Sequence, residues 1–136
     1  MHLETRHAAK LRDTAISACK QSHNPWLPQI ETGITLGRLL ERESPRSLVV
    51  AHRDPGAESI ARLACAWISR GADALVLVGP EGGFTDAELD HFRRIAAVWA
   101  QLAPQVLRVE TAAVAVAAAW AAARVGAACG DQTFPS

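Results

Sequence analysis

"LVGPEGGFTDAELDHF", residues 77–92, decides the fold class of this chain. Its left end closes the run "DALVLVG" (73–79), almost continuously apolar, as strands buried on both faces of a parallel sheet are. Its right end opens a helix at Thr85, with Asp86 and Glu88 in the first turn, where the helix dipole favours acidic groups. Between strand and helix stand Gly79, Pro80, Glu81, Gly82 and Gly83. A turn could be built more simply. The stretch therefore poses a choice between a plain strand-to-helix turn and a loop whose backbone meets a ligand.

Outward from this stretch the same alternation recurs. Residues 6–21 have helical spacing, "SHNPWLPQI" (22–30) is an irregular proline loop, and 35–42 reads as a short helix. "SLVVAHR" (47–53) predicts a strand followed by a turn at Asp54-Pro55-Gly56. A helix over 58–71 closes at Gly71, and another is predicted over 85–98. Residues 98–109 read as strand-like on both sides of Pro104, and a buried alanine-rich helix runs from Glu110 to about Gly126. Strands alternating with helices predict an α/β fold with a mainly parallel sheet and flanking helices. Ligands of such sheets sit beyond the carboxyl ends of the strands, where residues 79–83 lie.

The 136 residues, 49% apolar and 21% charged, are expected to form one domain over 1–126, with residues 127–136 as a tail. A formal net charge of zero lacks the basic footprint of a protein that grips nucleic acid mainly through phosphates. Cys19, Cys65 and Cys129 form no metal-ligand or disulfide pattern, and the five histidines, most of them read as surface residues, have no ligand spacing. No metal is expected, and a reducing cytoplasm is. The first twenty residues lack the apolar core of a signal peptide. Glu110 and Arg124 interrupt the alanine-rich stretch, which argues against a membrane span. Trp67, Trp99 and Trp120 read as core or interface anchors, and Arg93-Arg94 as a solvated helix face.

The glycine loop matches no familiar phosphate loop: neither GxxxxGK[ST] nor GxGxxG is present, and Glu81 would repel an anion. Backbone approach to a neutral or cationic ligand remains open beside the plain turn. A second constellation, "LAPQVLRVETAA" (102–113), places a proline loop, Arg108, and Glu110-Thr111 at a helix start. Taken singly, Glu110 suits a helix N-terminus and Arg108 an ion pair. Taken together, two tight loops after two strands can face each other across a crevice.

The pair "LVGPEGGFTDAEL" and "LAPQVLRVETAA" resembles the C-terminal half of the ribosomal RNA small subunit methyltransferase E family, and "ACKQSHNPWLPQI" (18–30) extends the likeness over residues 8–126. The resemblance implies a SPOUT-class domain with a deep trefoil knot that transfers a methyl group from S-adenosylmethionine to N3 of a uridine in small-subunit ribosomal RNA. It implies a homodimer in the cytoplasm that works on ribosomal RNA or the small ribosomal subunit. Val78, Gly79, Pro80, Glu81, Gly82 and Gly83 would then hold the cofactor from one side. Leu102, Ala103, Leu107, Arg108, Thr111 and Ala112 would hold it from the other. Arg108 and Glu110 are the catalytic candidates, and His23, Asn24 and Trp26 the substrate-binding ones.

Three positions depart from the family's pattern. Ala103 stands for a glycine, Gln105 for an arginine and Val109 for a threonine. The family's N-terminal PUA-like domain and first strand-helix unit have no counterpart here, so the chain reads as N-terminally truncated. Two further readings follow: an inactive, truncated domain that dimerises or associates with RNA, and an unrelated nucleotide-binding α/β protein.

Overall fold

The computed structural model describes residues 2–42 and 48–129. The chain divides into two compact units after Arg42. The first unit holds α1 (His2–Ser22), an irregular segment, and α2 (Leu36–Arg42). The helix α1 ends at His23, whose φ of 54° lies in the left-handed region. There Asn24 N donates to Cys19 O at 3.0 Å, and His23 N to Lys20 O at 3.4 Å. These two bonds satisfy carbonyls that a helix end leaves open. Asn24 then shapes the next step, its Oδ1 accepting from Trp26 N at 3.0 Å.

The second unit is the α/β layer. It runs β1 (Leu48–Ala51), β2 (Glu58–Ser59), α3 (Ile60–Ser69), β3 (Leu75–Val78), α4 (Asp86–Arg94), β4 (Val98–Gln101) and α5 (Val109–Cys129). The sheet is parallel throughout, in the order β2-β4-β1-β3. Val50 pairs with Leu77 on one side and Trp99 on the other. Leu48, Val49 and Val50 are fully buried, as expected of a central strand in a sheet covered on both faces. One face carries Val49, Val76, Val98 and Ala100, packed with Ile60, Leu63, Trp67 and the α5 residues Val116, Ala119 and Trp120. On the opposite face, Phe92 of α4 sits edge-on to Trp99 at 5.2 Å from Phe84 and 6.4 Å from Trp99.

Element ends follow local chemistry. Thr85 caps α4 through a full capping box: its Oγ1 accepts from Glu88 N, and Glu88 Oε2 accepts from Thr85 N at 2.7 Å. Gly71, with φ 60°, ends α3, with Ala72 N bonded to Trp67 O and Gly71 N to Ile68 O.

Four expectations are corrected. The helix predicted over 58–71 begins only at Ile60, because Glu58 and Ser59 pair with Ala100 and Gln101 as an edge strand. The helix predicted over 85–98 stops at Arg94: Ala96 turns left-handed at φ 54°, and Ala97 N bonds back to Phe92 O. Strand structure at 98–109 is confined to 98–101, after which 102–108 is irregular. Finally, α5 is not buried. It lays one side on α3 and β3, with Ala112 and Ala123 buried, while Val114 and Val125 are 67% and 65% exposed. Its stretch Val109–Ala127 is long and apolar enough to cross a membrane by length and composition. The helix continues to Cys129, whereas Ser47 of the predicted strand and residues 130–136 of the predicted tail lie outside the described residues.

Candidate functional site

The strand order generates the site. After β1 the chain forms β2 at one edge, crosses through α3 to β3 on one side of β1, and returns through α4 to β4 on its other side, so the loops leaving β3 and β4 flank the end of β1. A crevice at such a reversal is where open parallel sheets take ligands. Here it is a cleft of about 470 Å³, within the range of small-molecule sites.

Its first wall is the loop leaving β3: Val78, Gly79, Pro80, Glu81, Gly83 and Phe84. A hydrogen bond from Gly83 N to Pro80 O at 2.8 Å closes a turn whose central residues are Glu81 and Gly82. Only Gly83, at φ 74°, needs a conformation that side chains resist. Gly79 is required for a different reason. A Cβ there would stand 3.1 Å from Cε2 of Phe84, which closes the floor of the loop. Gly82 has neither constraint and lies outside the lining.

The opposite wall is the segment from Ala100 to Val109, with Ala112 behind it. Leu102, Ala103, Leu107 and Arg108 all face the cleft, joined by Gln105 and Val106. The non-glycine residues with positive φ are His23 and Ala96 among the described residues, so Ala103 sits in its loop without strain. Glu110 and Thr111 are exposed in the first turn of α5 and stand outside the lining; Ala112 N bonds to Arg108 O at 2.8 Å and begins the helix instead.

A third wall was not anticipated from sequence. Ala51, His52 and Arg53, at the carboxyl end of β1, also line the cleft. His52 is half-buried, not a surface residue, and its ring stands edge-on to Trp99 at 5.7 Å. The available signal was position: these residues directly follow a strand that predicts as buried. Nothing in the sequence shows that β1 lies between β3 and β4. The cleft thus gathers two guanidinium groups, Arg53 and Arg108, one imidazole and the single carboxylate of Glu81 around an apolar floor. Neither arginine has an ion-pair partner among the described residues.

His23, Asn24 and Trp26 belong to the first unit. His23 and Asn24 line a shallow groove of that unit with Ile16, Cys19, Lys20, Pro25 and Leu27. Trp26 is 80% exposed, its carbonyl accepting from Cys19 Sγ at 3.4 Å. Among the described residues no cluster of side chains could hold a metal ion.

With this geometry in view, likeness to known proteins becomes informative. The RNA methyltransferase domain family matches residues 2–121, nearly the whole chain. The chain belongs to the RNA methyltransferase domain family. Within it, ribosomal RNA small subunit methyltransferase E of Bacillus subtilis is 30% identical over 118 residues, covering 81% of this chain and 46% of that protein. A methyltransferase structure from Legionella pneumophila, solved with the cofactor SAM, superposes with a TM-score of 0.67 at 23% identity over 93% of this chain and 48% of that one. A ribosomal RNA small subunit methyltransferase E from Neisseria gonorrhoeae, bound to S-adenosyl methionine, gives 0.65 at 23% identity over 92% and 48%. At this identity the structural likeness establishes the fold of this RNA methyltransferase domain. The chain spans less than half the length of the relatives it matches.

Proposed function

We propose that the cleft binds S-adenosylmethionine and that the chain is the cofactor-binding part of a methyltransferase acting on small-subunit ribosomal RNA. The observation that carries this reading is the joining of the two sequence motifs, 79–83 and 102–108, as facing walls at the strand-order reversal. The residues fit the group. Gly79 and the Pro80–Gly83 turn present bare backbone, Leu102 and Leu107 offer apolar surface for a planar ring, and Glu81 offers a carboxylate to a cation. The glycine loop of the cleft has neither the GxxxxGK[ST] nor the GxGxxG pattern of a phosphate-binding loop and carries Glu81, which disfavours a nucleotide phosphate. Gly82 and Thr111 serve the turn and the helix start in this reading.

Bound there, the cofactor supplies an electrophilic methyl group on a sulfonium. The acceptor in the proposed reaction is N3 of a uridine, a weak acid: its proton would pass to water, the N3–methyl bond would form as the sulfur–methyl bond breaks, and S-adenosylhomocysteine would be the leaving group. Arg108 is the group suited to stabilise the developing anion, because it is a cation on the cleft wall with no ion-pair partner among the described residues. Holding the acceptor in line supplies the rest, since orientation alone lowers such barriers substantially. Glu110 points its charge to the helix start in this scheme and supports Arg108's segment indirectly. His23, Asn24 and Trp26 are proposed to meet the RNA, with Trp26, exposed and rigidly preceded by the Asn24 turn, as the stacking surface.

The uncovered side of α5 supports a homodimer. Val114 and Val125 lie on it with exposed alanines between them, so helices can approach closely. A cytoplasmic location and a trefoil knot complete the reading. Calorimetry with S-adenosylhomocysteine is the direct test: a folded chain that does not bind it rejects the cofactor assignment. Transfer of labelled methyl groups to unmodified small subunits tests the activity. Binding without transfer would favour the second reading, an inactive domain that dimerises or associates with RNA, to which the departures at Ala103 and Gln105 point.

A further inference from the structure

The third wall of the cleft has no motif of its own, and the turn that follows it meets a residue outside the cleft lining. We propose that Arg93 of α4 is the positioning residue for His52 and Arg53. β1 ends at Ala51, and one further backbone bond, His52 N to Ala100 O at 3.1 Å, holds the chain to β4. Beyond it the backbone folds tightly: Asp54 N donates to His52 O at 3.1 Å, bending the chain over Arg53. Asp54 Oδ1 accepts from Gly56 N at 3.0 Å, and Asp54 O accepts from Ala57 N at 2.9 Å. The carboxylate and the main-chain carbonyl of Asp54 thus close the turn after the wall together.

Arg93 engages this turn by two routes. Its Nη2 lies 3.7 Å from Asp54 Oδ2, while Nη1 lies 3.0 Å from Asp90 Oδ1, which anchors it to its own helix. Its guanidinium also stands over the Trp99 ring at 5.7 Å, and the same ring meets His52 edge-on at 5.7 Å. Arg93 is half exposed, and a surface ion pair of this kind contributes little to stability. Orientation is the property such an arrangement supplies. A planar guanidinium can stack and pair at once, which lysine cannot. Arg94, its exposed neighbour, makes no ion pair among the described residues and has no such role.

The test uses the full chain in two arms, the second of which rests on the cofactor reading. In the ligand-free, nitrogen-15-labelled chain, Arg93→Gln shifts the amide resonances of His52, Arg53 and Asp54 and the Trp99 indole, whereas Arg94→Gln leaves them in place. In calorimetry, Arg93→Gln weakens S-adenosylhomocysteine binding roughly three- to thirtyfold, within the span of coupling between contacting residues, and Arg93→Lys recovers part of it. In a His52→Ala/Arg53→Ala background the same Arg93→Gln change has no further effect. Unmoved wall resonances, or an equal loss of affinity in both backgrounds, overturn the proposal. A wild-type chain that does not bind S-adenosylhomocysteine rejects the cofactor reading, and the resonance arm still decides the role of Arg93.

Discussion

Gly79 and Phe84 are matched: the ring lies where a side chain at position 79 would begin, 3.1 Å from Cε2 and 3.3 Å from Cδ2 for an added Cβ. The ring in turn packs edge-on against buried Phe92. Gly79→Ala must displace Phe84 by a few tenths of an ångström, so it is expected to cost about 1–2 kcal/mol as an overpacking change. It also reshapes the cleft, so on the proposed cofactor reading S-adenosylhomocysteine affinity is expected to fall with it. Gly82→Ala, with open space and ordinary φ, is expected to change stability by less than about 0.5 kcal/mol. Chemical denaturation of both variants checks the contrast. Equal behaviour would contradict the role given to Phe84.

Gly83 differs from both. Its φ of 74° is strained for any side chain although nothing lies near its Cβ position. Gly83→Ala is expected to cost about 1–2 kcal/mol, the penalty of a left-handed residue, by the same denaturation assay. A neutral result would mean that the turn relaxes to another type.

Ala96 occupies the left-handed end of α4 that Gly71 occupies in α3. Ala96→Gly should therefore raise stability, by about 1 kcal/mol, since the strain disappears while both closing hydrogen bonds remain. A rise in Tm confirms it. No rise would indicate that the added freedom of glycine in the unfolded chain offsets the relief.

Thr85 and Glu88 exchange backbone hydrogen bonds at the start of α4. Thr85→Ala is expected to cost about 1 kcal/mol. Because this cap aims the helix whose Phe92 supports Trp99, amide exchange should quicken first in residues 85–89. Uniform quickening throughout the unit would show the cap acting only on global stability.

The exposed side of α5 gives a test of assembly. Val114→Glu and Val125→Glu together should weaken self-association at least tenfold, about 1.4 kcal/mol or more, in sedimentation equilibrium. The helical circular dichroism should persist. A wild-type chain that sediments as a monomer at all concentrations rejects the dimer.

Much of the architecture was legible in the residues because it depends on near neighbours. The Thr85 cap, the Gly71 end, the turn after Asp54 and the apolar strand before Gly79 are all set by contacts within a few positions. The two walls at 79–83 and 102–108 were legible for the same reason, as strand-to-helix loops with distinctive residues. What tertiary structure alone decided is which strands are neighbours. β2 exists only because β4 pairs with it, and only the sheet brings Trp99 and Ala100 into register with Val50 and Ala51. The same strand order places His52 and Arg53 in the cleft and turns Arg93 from a solvated helix residue into their brace. Local hydrogen bonds close over a few residues and leave a mark in sequence. Pairing between distant strands is chosen by the burial of the whole sheet, and no single stretch carries it.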